Sequence, residues 1–566
     1  MRHPFMSLGP VLAISVVAGC GSSGSTSRGG TGGAGGAGGA VSIGMPMEPG
    51  DPGAADVTFT IRADMDVHAI SPLIYGWNGA DAIAEDGQTV VRAGGNRWTA
   101  YNWENNASNA GSDYMFQNDN YLDTSSVPGH AVKSTLDAAK TTSIAALLTV
   151  PIVDYVAADT SPSGDVDPTG KHMPGGAYLT TRFKQNKPSK GSALSLAPDT
   201  TDDFVYQDEF VSWVKSNYGS QRVIFALDNE PDLWAGTHPE VHPEKVTYAE
   251  LVMRNTQYGA AVKAVWPTAE VAGFVSYGWN GYETLQGAPD MSGKGEFLTY
   301  YLDQMNAAEQ TAGLRLVDYL DLHWYPETYV SDGYMNSTMP TRIVDQADPS
   351  PQIQAARLQA PRSLWDPTYN ENNWIAQNIP GAIMLIPRLK QKIAAHYPGT
   401  KLAFSEYTFG GGSDISGGMA EADVLGIFGR EGVDMATAWN WSDSVGGNLY
   451  EIAGLQAFRN FDSHGGTFGD TSIHAVTTDN AASSVYASVD GGNVDQVVIV
   501  AINKKTTIAT AGITLAHPTQ FHSANVYTLT SAGPILAPAP AITAVATNAF
   551  NYAMPAMSVS VIVPQK

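Results

Sequence analysis

Short apolar runs punctuate the middle of this chain and alternate with segments of helical spacing. Eight of them read as buried strands: Leu73–Tyr75, Val90–Ala93, Ile144–Ile152, Val223–Leu227, Val271–Val275, Tyr319–His323, Leu402–Ser405 and Met435–Ala438. Between them, Asp203–Asn217 places Phe204, Phe210, Val211 and Val214 at near-helical intervals. Tyr248–Val265 and Ala382–Ala395 repeat that spacing, the latter with a kink or restart expected at Pro387. A strand–helix alternation repeated eight times predicts an α/β fold, a (β/α)8 TIM barrel. Beyond about Phe461 the period changes to two: Asp495–Asn503, Ser523–Thr530 and Met557–Val563 predict an additional C-terminal antiparallel β-sandwich domain. Val57, Phe59 and Ile61 alternate with polar residues ahead of the barrel, and this strand is expected to join the sandwich from the far end of the chain.

Two of the apolar runs end in a glutamate. Val223–Leu227 stops at Asp228-Asn229-Glu230-Pro231, where Pro231 ends the strand and turns Glu230 away from helix. Lys401-Leu-Ala-Phe-Ser-Glu406 then runs into Gly410-Gly411-Gly412. In a parallel barrel the C-terminal strand tips carry the reacting groups. Two carboxyls so placed match the needs of glycosidic-bond hydrolysis: a protonated acid for the leaving oxygen, and an ionised partner that attacks the anomeric carbon or activates water.

Composition narrows the field. The chain has 566 residues, 43% hydrophobic and 15% charged, with 12 Trp and 25 Tyr, which suits a folded protein with aromatic-rich surfaces. A net charge of −24 excludes nucleic acid as a natural partner and leaves a neutral polysaccharide unaffected. The single cysteine, Cys20, rules out an internal disulfide or a thiolate metal cluster. It follows Arg2, a mostly apolar Phe5–Val17 stretch and Val17-Ala18-Gly19, the pattern of a lipoprotein signal peptide. The expectation is an extracytoplasmic protein, lipid-anchored through Cys20 at the outer membrane or cell surface, or secreted, with membrane contact only through that terminus. Domain boundaries follow: 1–20 signal peptide and lipidated Cys, 21–55 a Gly/Ser/Ala/Pro-rich linker, 56–70 the strand joining the sandwich, 71–460 the catalytic barrel, 461–566 the sandwich. A monomer is expected.

Several longer motifs add a resemblance. Ala93-Gly-Gly-Asn-Arg-Trp-Thr-Ala-Tyr-Asn-Trp-Glu104 and its Asn-rich continuation to Asp113, Ala226–Pro231, Asp321-Leu-His-Trp-Tyr-Pro-Glu327, Leu364-Trp-Asp-Pro-Thr-Tyr369, Ser405-Glu-Tyr407 and Phe468-Gly-Asp-Thr-Ser472 are similar to glycoside hydrolase family 44, bacterial endoglucanases and xyloglucanases. The likeness runs from about Val57 to the C-terminus. It implies a retaining enzyme acting inside β-1,4-glucan chains, with the acid/base on Glu230 and the nucleophile on Glu406. It also implies a structural Ca2+ site, for which Glu104, Asp199 and Asp202 are the candidate ligands; an alternative is that Asp202 or Asp203 serves as a helix N-cap. One departure is Trp441, a second Trp after Trp439.

The remaining candidates cluster at strand tips. Asn229 is placed to bind a sugar 2-hydroxyl, or to shape the turn. Tyr325 is expected to hold the Glu406 carboxylate, and His323 to hold either glutamate or the sugar, or to sit as a satisfied core histidine. Trp77, Trp98, Trp324, Trp439 and Trp441 are candidate sugar platforms, two or three of which should touch substrate. Asn96 and Arg97 are expected to bind hydroxyls or brace the site. His238 and His242 have a zinc-like spacing, but Pro239 and Pro243 break any helix and favour a structural loop. The substrate expected is a β-glucan polysaccharide, with no cofactor for catalysis. The rivals are a xylanase or mannanase of the same mechanism, and a non-catalytic surface glycan-binding lipoprotein.

Overall fold

Eight strands close into a parallel barrel in chain order: Gly76–Asn78, Val90–Ala93, Ala145–Val150, Val223–Leu227, Glu270–Ser276, Tyr319–Trp324, Lys401–Tyr407 and Met435–Ala438. Every neighbouring pair is parallel. The computed structural model describes residues 41, 43–79, 87–331, 340–345, 350–439 and 447–566; Cys20, the linker up to residue 40 and Trp441 lie outside them. Seven strands fall on the expected runs. The first lies later, because Ser71 and Pro72 open a 3-10 turn over Pro72–Ile74 and extended backbone begins only at Gly76.

The helices follow their sequence signals. Tyr248–Val265 is bounded as expected, opened by a capping box in which Thr247 and Glu250 satisfy each other's backbone N–H. Helix Gln207–Tyr218 starts four residues late, since Phe204–Tyr206 pairs as a strand with Phe183–Lys187. Pro387 does not kink its helix: Leu385–His396 begins two residues before it, so the proline sits in the first turn, where its missing N–H costs nothing.

The inward-facing residues of the barrel change character with height. Low in the barrel, Val90, Ala145, Leu147, Ile224, Ala226, Ala272, Tyr319, Ala403 and Met435 form one apolar cluster. Two residues further along the same strands stand Arg92, Asp321 and Thr437, all buried and polar. The period of two along a strand makes these continuations of the same inward columns.

The residues outside the barrel form a ten-stranded sheet from Val57–Arg62, His68–Ala69 and the eight strands between Thr471 and Gln565. Val57–Arg62 pairs antiparallel with Thr471–Thr477 and parallel with Ala509–Ala516, and so joins the sheet to itself. The other pairings are antiparallel. The one parallel contact departs from the expected antiparallel arrangement. Its cause is topological: no hairpin ties Val57–Arg62 to either neighbour, so its direction is free. The Asp56 carboxylate accepts from the Thr510 N–H across 454 residues of chain.

Strand Asn493–Asn503 couples the two regions. Val497, Ile499 and Ala501 belong to the sheet's own core, while Val498, Val500 and Ile502 join the core shared with the barrel helices. Over 497–502 both faces of this strand are buried, so both sets of alternate side chains there are apolar.

Candidate active site

The site is built at the C-terminal tips of the barrel strands. Glu230 follows Val223–Leu227 in left-handed backbone (φ 46°), two residues after Asp228 (φ 71°). Non-glycine residues in this region carry about 1–3 kcal/mol of strain each. The surroundings enforce it: Asp228 accepts from the N–H groups of Ile152, Val153 and Asn229, and the Glu230 N–H donates to the Val275 carbonyl at 2.9 Å.

Glu406 reaches the same space by a different device. Opposite it, the pairing between Tyr319–Trp324 and Lys401–Tyr407 shifts: Leu322 faces Phe404, but His323 faces Glu406. Ser405 is the extra residue of a β-bulge, which leaves its backbone groups outside the ladder. Side chains satisfy them. The Ser405 N–H donates to Asp321 at 3.0 Å, and its carbonyl accepts from Asn78 at 3.0 Å and from the Thr437 hydroxyl. The bulge turns Glu406 into the barrel mouth.

One oxygen of each glutamate and a ring nitrogen of His323 all lie within 4.8 Å of one another. His323 Nδ1 is 2.9 Å from Glu230 Oε1 and 3.4 Å from Glu406 Oε2. The Tyr325 hydroxyl donates to Glu406 at 2.7 Å. Arg92 is completely buried, and its guanidinium donates to Glu406 (2.6 Å), Asn78 (2.9 Å) and Asn229 (2.7 Å). The Glu230 side chain keeps 21% of its surface exposed and Glu406 6%, so Glu230 is the one open to the cleft.

Electrostatics separate the two carboxyls. Burial pushes Glu230 above the usual carboxylate range, helped by the charge of Glu406 and opposed by its contact with His323. Burial would raise Glu406 as well, but the charges of His323 and Arg92 and hydrogen bonds from Arg92 and Tyr325 outweigh it and hold Glu406 low. Burial likewise works against His323's charge, and the two glutamates overcome it, so the imidazole binds its proton more tightly than usual. The 2.9 Å contact between Glu230 Oε1 and His323 Nδ1 is a hydrogen bond that holds one proton. Such a site pairs a proton donor with an ionised carboxylate in one mouth.

The structure brings Glu230, Glu406, Asn229, His323 and Tyr325 together. It corrects the aromatic platforms. Trp77, Trp98 and Trp324 are 3%, 9% and 2% exposed and belong to the shared core, so none offers a free face to a sugar. Trp439 remains partly open, and Gly95 (φ 105°) makes way for it: a Cβ there would stand 2.8 Å from its ring. Asn96 and Arg97 both brace the site. Asn96 donates to the Ala110 carbonyl, while Arg97 makes a bidentate pair with Asp119 and lies 4.0 Å over the Tyr121 ring. The His238 and His242 rings each have both nitrogens engaged, by Glu240 and the Asn96 carbonyl and by the Glu244 carbonyl and Glu250, so a structural loop is what forms.

The proposed calcium ligands do not fit an ion as they stand. The Lys184 ammonium sits 3.0 Å from Glu104 and 3.8 Å from Asp202, and donates to the Thr200 carbonyl at 3.1 Å. The lysine ammonium already takes the place between these two carboxylates that an ion would need. Asp199 points elsewhere and accepts from the Thr201 N–H and hydroxyl. Asp202 accepts from the Phe204 N–H, a turn role close to the capping alternative.

Arg92 and Asn78 complete the site and lie outside the motifs that mark the two glutamates. The available signal was an arginine inside Val90-Val-Arg-Ala93, since a charge in a buried strand persists only when it is paired.

A parallel barrel with a matched carboxyl pair at its mouth defines a glycoside hydrolase of the barrel class. Comparison with known proteins narrows this. The model of glycoside hydrolase family 44 matches residues 107–328. Endoglucanase A of Paenibacillus lautus is 38% identical over 523 residues, 89% of this chain and 72% of that protein. A Beta-mannanase/endoglucanase A of Caldicellulosiruptor saccharolyticus is 39% identical over 479 residues; the match takes in 79% of this chain but only 34% of that longer protein. Among solved structures, a Paenibacillus polymyxa xyloglucanase of family 44 superposes with a TM-score of 0.84 at 39% identity, covering 91% of this chain and all of that one. A family 44 endoglucanase of Clostridium thermocellum gives 0.84 at 39%, covering 90% and 100%. The chain belongs to glycoside hydrolase family 44.

Proposed function

We propose that this protein is a retaining endo-β-1,4-glucanase that cleaves cellulose-like glucans and xyloglucan. Glu406 attacks the anomeric carbon and forms a glycosyl-enzyme. Glu230 protonates the departing sugar oxygen, then takes a proton from the water that releases the intermediate. The observation that carries this reading is the carboxyl separation: oxygens within 4.8 Å suit the roughly 5–5.5 Å of retaining enzymes and leave no room for the water of the inverting route. Arg92 and Tyr325 keep Glu406 ionised for attack, and the hydrogen bond between Glu230 and His323 holds the proton to be donated. Arg92 occupies the Asn229 carbonyl oxygen, so the amide nitrogen remains to donate to a 2-hydroxyl. These steps need no cofactor.

Two similarities support the substrate. A solved family 44 xyloglucanase from Paenibacillus polymyxa, 40% identical, is described with xyloglucan, and the relatives above carry the name endoglucanase. We read the ten-stranded sheet as a sandwich packed beside the catalytic barrel, and Cys20 as the lipid anchor holding a monomeric enzyme at the cell surface.

The test is release of reducing ends from carboxymethylcellulose and xyloglucan, with xylan and mannan alongside. Glu230→Ala should lower activity by about 10²–10⁴-fold, and Glu406→Ala by about 10⁴-fold or more. NMR of the first product should show the β-anomer. Unchanged activity in either variant, or an initial α-anomer, would overturn the assignment; glucan binding without release would favour a non-catalytic binding lipoprotein.

A further inference from the structure

Three consecutive residues follow Glu406, and each is held by a different helix. The Tyr407 hydroxyl donates to Glu421 at 2.8 Å, on helix Ile415–Glu431. The Thr408 hydroxyl donates to Glu451 at 3.0 Å, on helix Leu449–Arg459. The Phe409 carbonyl accepts from Arg357 at 2.9 Å, on helix Pro351–Gln359. Strand alternation accounts for the first of these: with Glu406 turned into the mouth, Tyr407 points outward to the helices.

The two glutamates stand next to each other. Gly454, one turn after Glu451, lets their helices touch. A Cβ there would lie 2.9 Å from the Glu421 Cβ and 2.5 Å from the Gly418 carbonyl oxygen. Glu421, Glu451 and Tyr407 are all buried. Burial, opposed by the Thr408 hydroxyl and the charge of Arg357, pushes Glu451 up to about 7. Burial and the charge of Glu451, opposed by the Tyr407 hydroxyl, push Glu421 up to about 8. Asp414 faces Arg357 in turn. Asp423, the next acid on the Glu421 helix, is engaged by Lys504 and Tyr486. Two buried carboxylates side by side repel, so the closed arrangement prefers a protonated pair and loses that preference as pH rises through these values.

We propose that Glu421 and Glu451 are a positioning pair for the nucleophile: they clasp the two residues after Glu406, and alkali opens the clasp by ionising both. This role rests on Glu406 as the attacking group. Neither glutamate touches substrate. With both charged, their repulsion parts the two helices, the strand end loses two anchors, and Glu406 moves away from the anomeric carbon.

The test uses 2,4-dinitrophenyl β-cellotrioside, whose leaving group needs no proton, so that ionisation of Glu230 does not shape the alkaline limb. First-turnover release of dinitrophenolate by the full-length protein should fall above about pH 8 and recover on return to neutral pH. Glu421→Gln keeps an acceptor for Tyr407 and removes one charge; it should abolish that fall or move it upward by about one pH unit or more. Glu421→Ala removes the acceptor as well and should lower kcat at neutral pH by about 10–100-fold with little change in KM, while Glu421→Gln recovers most of the loss. A merely structural role would not move the alkaline limb. Glu451→Gln repeats the experiment from the other helix if Glu421→Gln does not fold. A parent rate that stays flat through this range, or an alkaline fall that the amide variants leave in place, would overturn the proposal. Failure of the nucleophile assignment shows separately, as dinitrophenolate release that Glu406→Ala leaves unchanged.

Discussion

The two ends of the barrel are made from the same strands and could hardly differ more. The lower end is a plug of Val90, Leu147, Ile224, Ala403, Met435 and their neighbours, interchangeable in kind and satisfied by contact alone. The upper end, two or more residues along, holds Arg92, Asn78, Asp321, His323 and Glu406, joined to one another and to their neighbours by specific hydrogen bonds. The lower end tolerates substitution by volume. The upper end is a chain of dependencies, in which one missing group leaves another buried and unpaired.

Arg92→Met should produce the sharpest break between the ends. It strands Glu406 and Asn229 together, with an expected cost of about 3–5 kcal/mol in stability and about 10²–10³-fold in kcat. The sign of its pH effect is fixed. Arg92 helps hold Glu406 below the usual range, so its removal raises the Glu406 pKa. The carboxylate then needs a higher pH to ionise, and the acid limb of the pH–rate profile moves upward while the basic limb, set by the Glu230–His323 proton, stays nearer its place. An unmoved acid limb would mean that Arg92 does not set the Glu406 charge.

At the other end, Leu147→Ala should lower stability by about 2–5 kcal/mol while kcat per folded molecule holds. A comparable loss of kcat would dissolve the contrast, because the plug would then be setting the geometry of the mouth. Asp321→Ala lies between the two cases. It leaves the Ser405 N–H without its acceptor, about 1–3 kcal/mol, and loosens the bulge that aims Glu406. Denaturant melts and kcat should therefore fall together, unlike either variant above. The smallest effect expected is none: a chelator should leave the melting temperature unchanged, because the Lys184 ammonium already stands between Glu104 and Asp202. A drop reversed by added calcium would show that the lysine gives way to an ion.

The contrast also explains what could be seen in the sequence. Glu230 and Glu406 were visible because each ends an apolar run, and strand tips are where a barrel puts its chemistry. Tyr325 and His323 followed from the same logic. Tip position does not say which way a side chain points, and so the sequence offers Trp77 and Trp324 as sugar platforms although both are buried in the shared core. Arg92 hid inside a four-residue apolar stretch. The Ser405 bulge left no mark at all, since it is a property of pairing with Tyr319–Trp324 and not of Lys401–Tyr407 alone. The barrel could be read because its period repeats eight times. The direction of Val57–Arg62 could not, because it depends on partners at the far end of the chain.

That first strand sets a timetable for the nascent protein. At about 5–20 residues per second, the ribosome needs roughly 20–90 s to make the chain between Asp56 and Thr510. Through that interval Val57, Phe59 and Ile61 have no sheet to join, and their apolar side stands open to water and to other unfinished chains. The barrel strands can assemble meanwhile, but the body is sealed only when the last hundred residues return to collect the opening strand, so a polypeptide cut short anywhere before them leaves its beginning as well as its end undone.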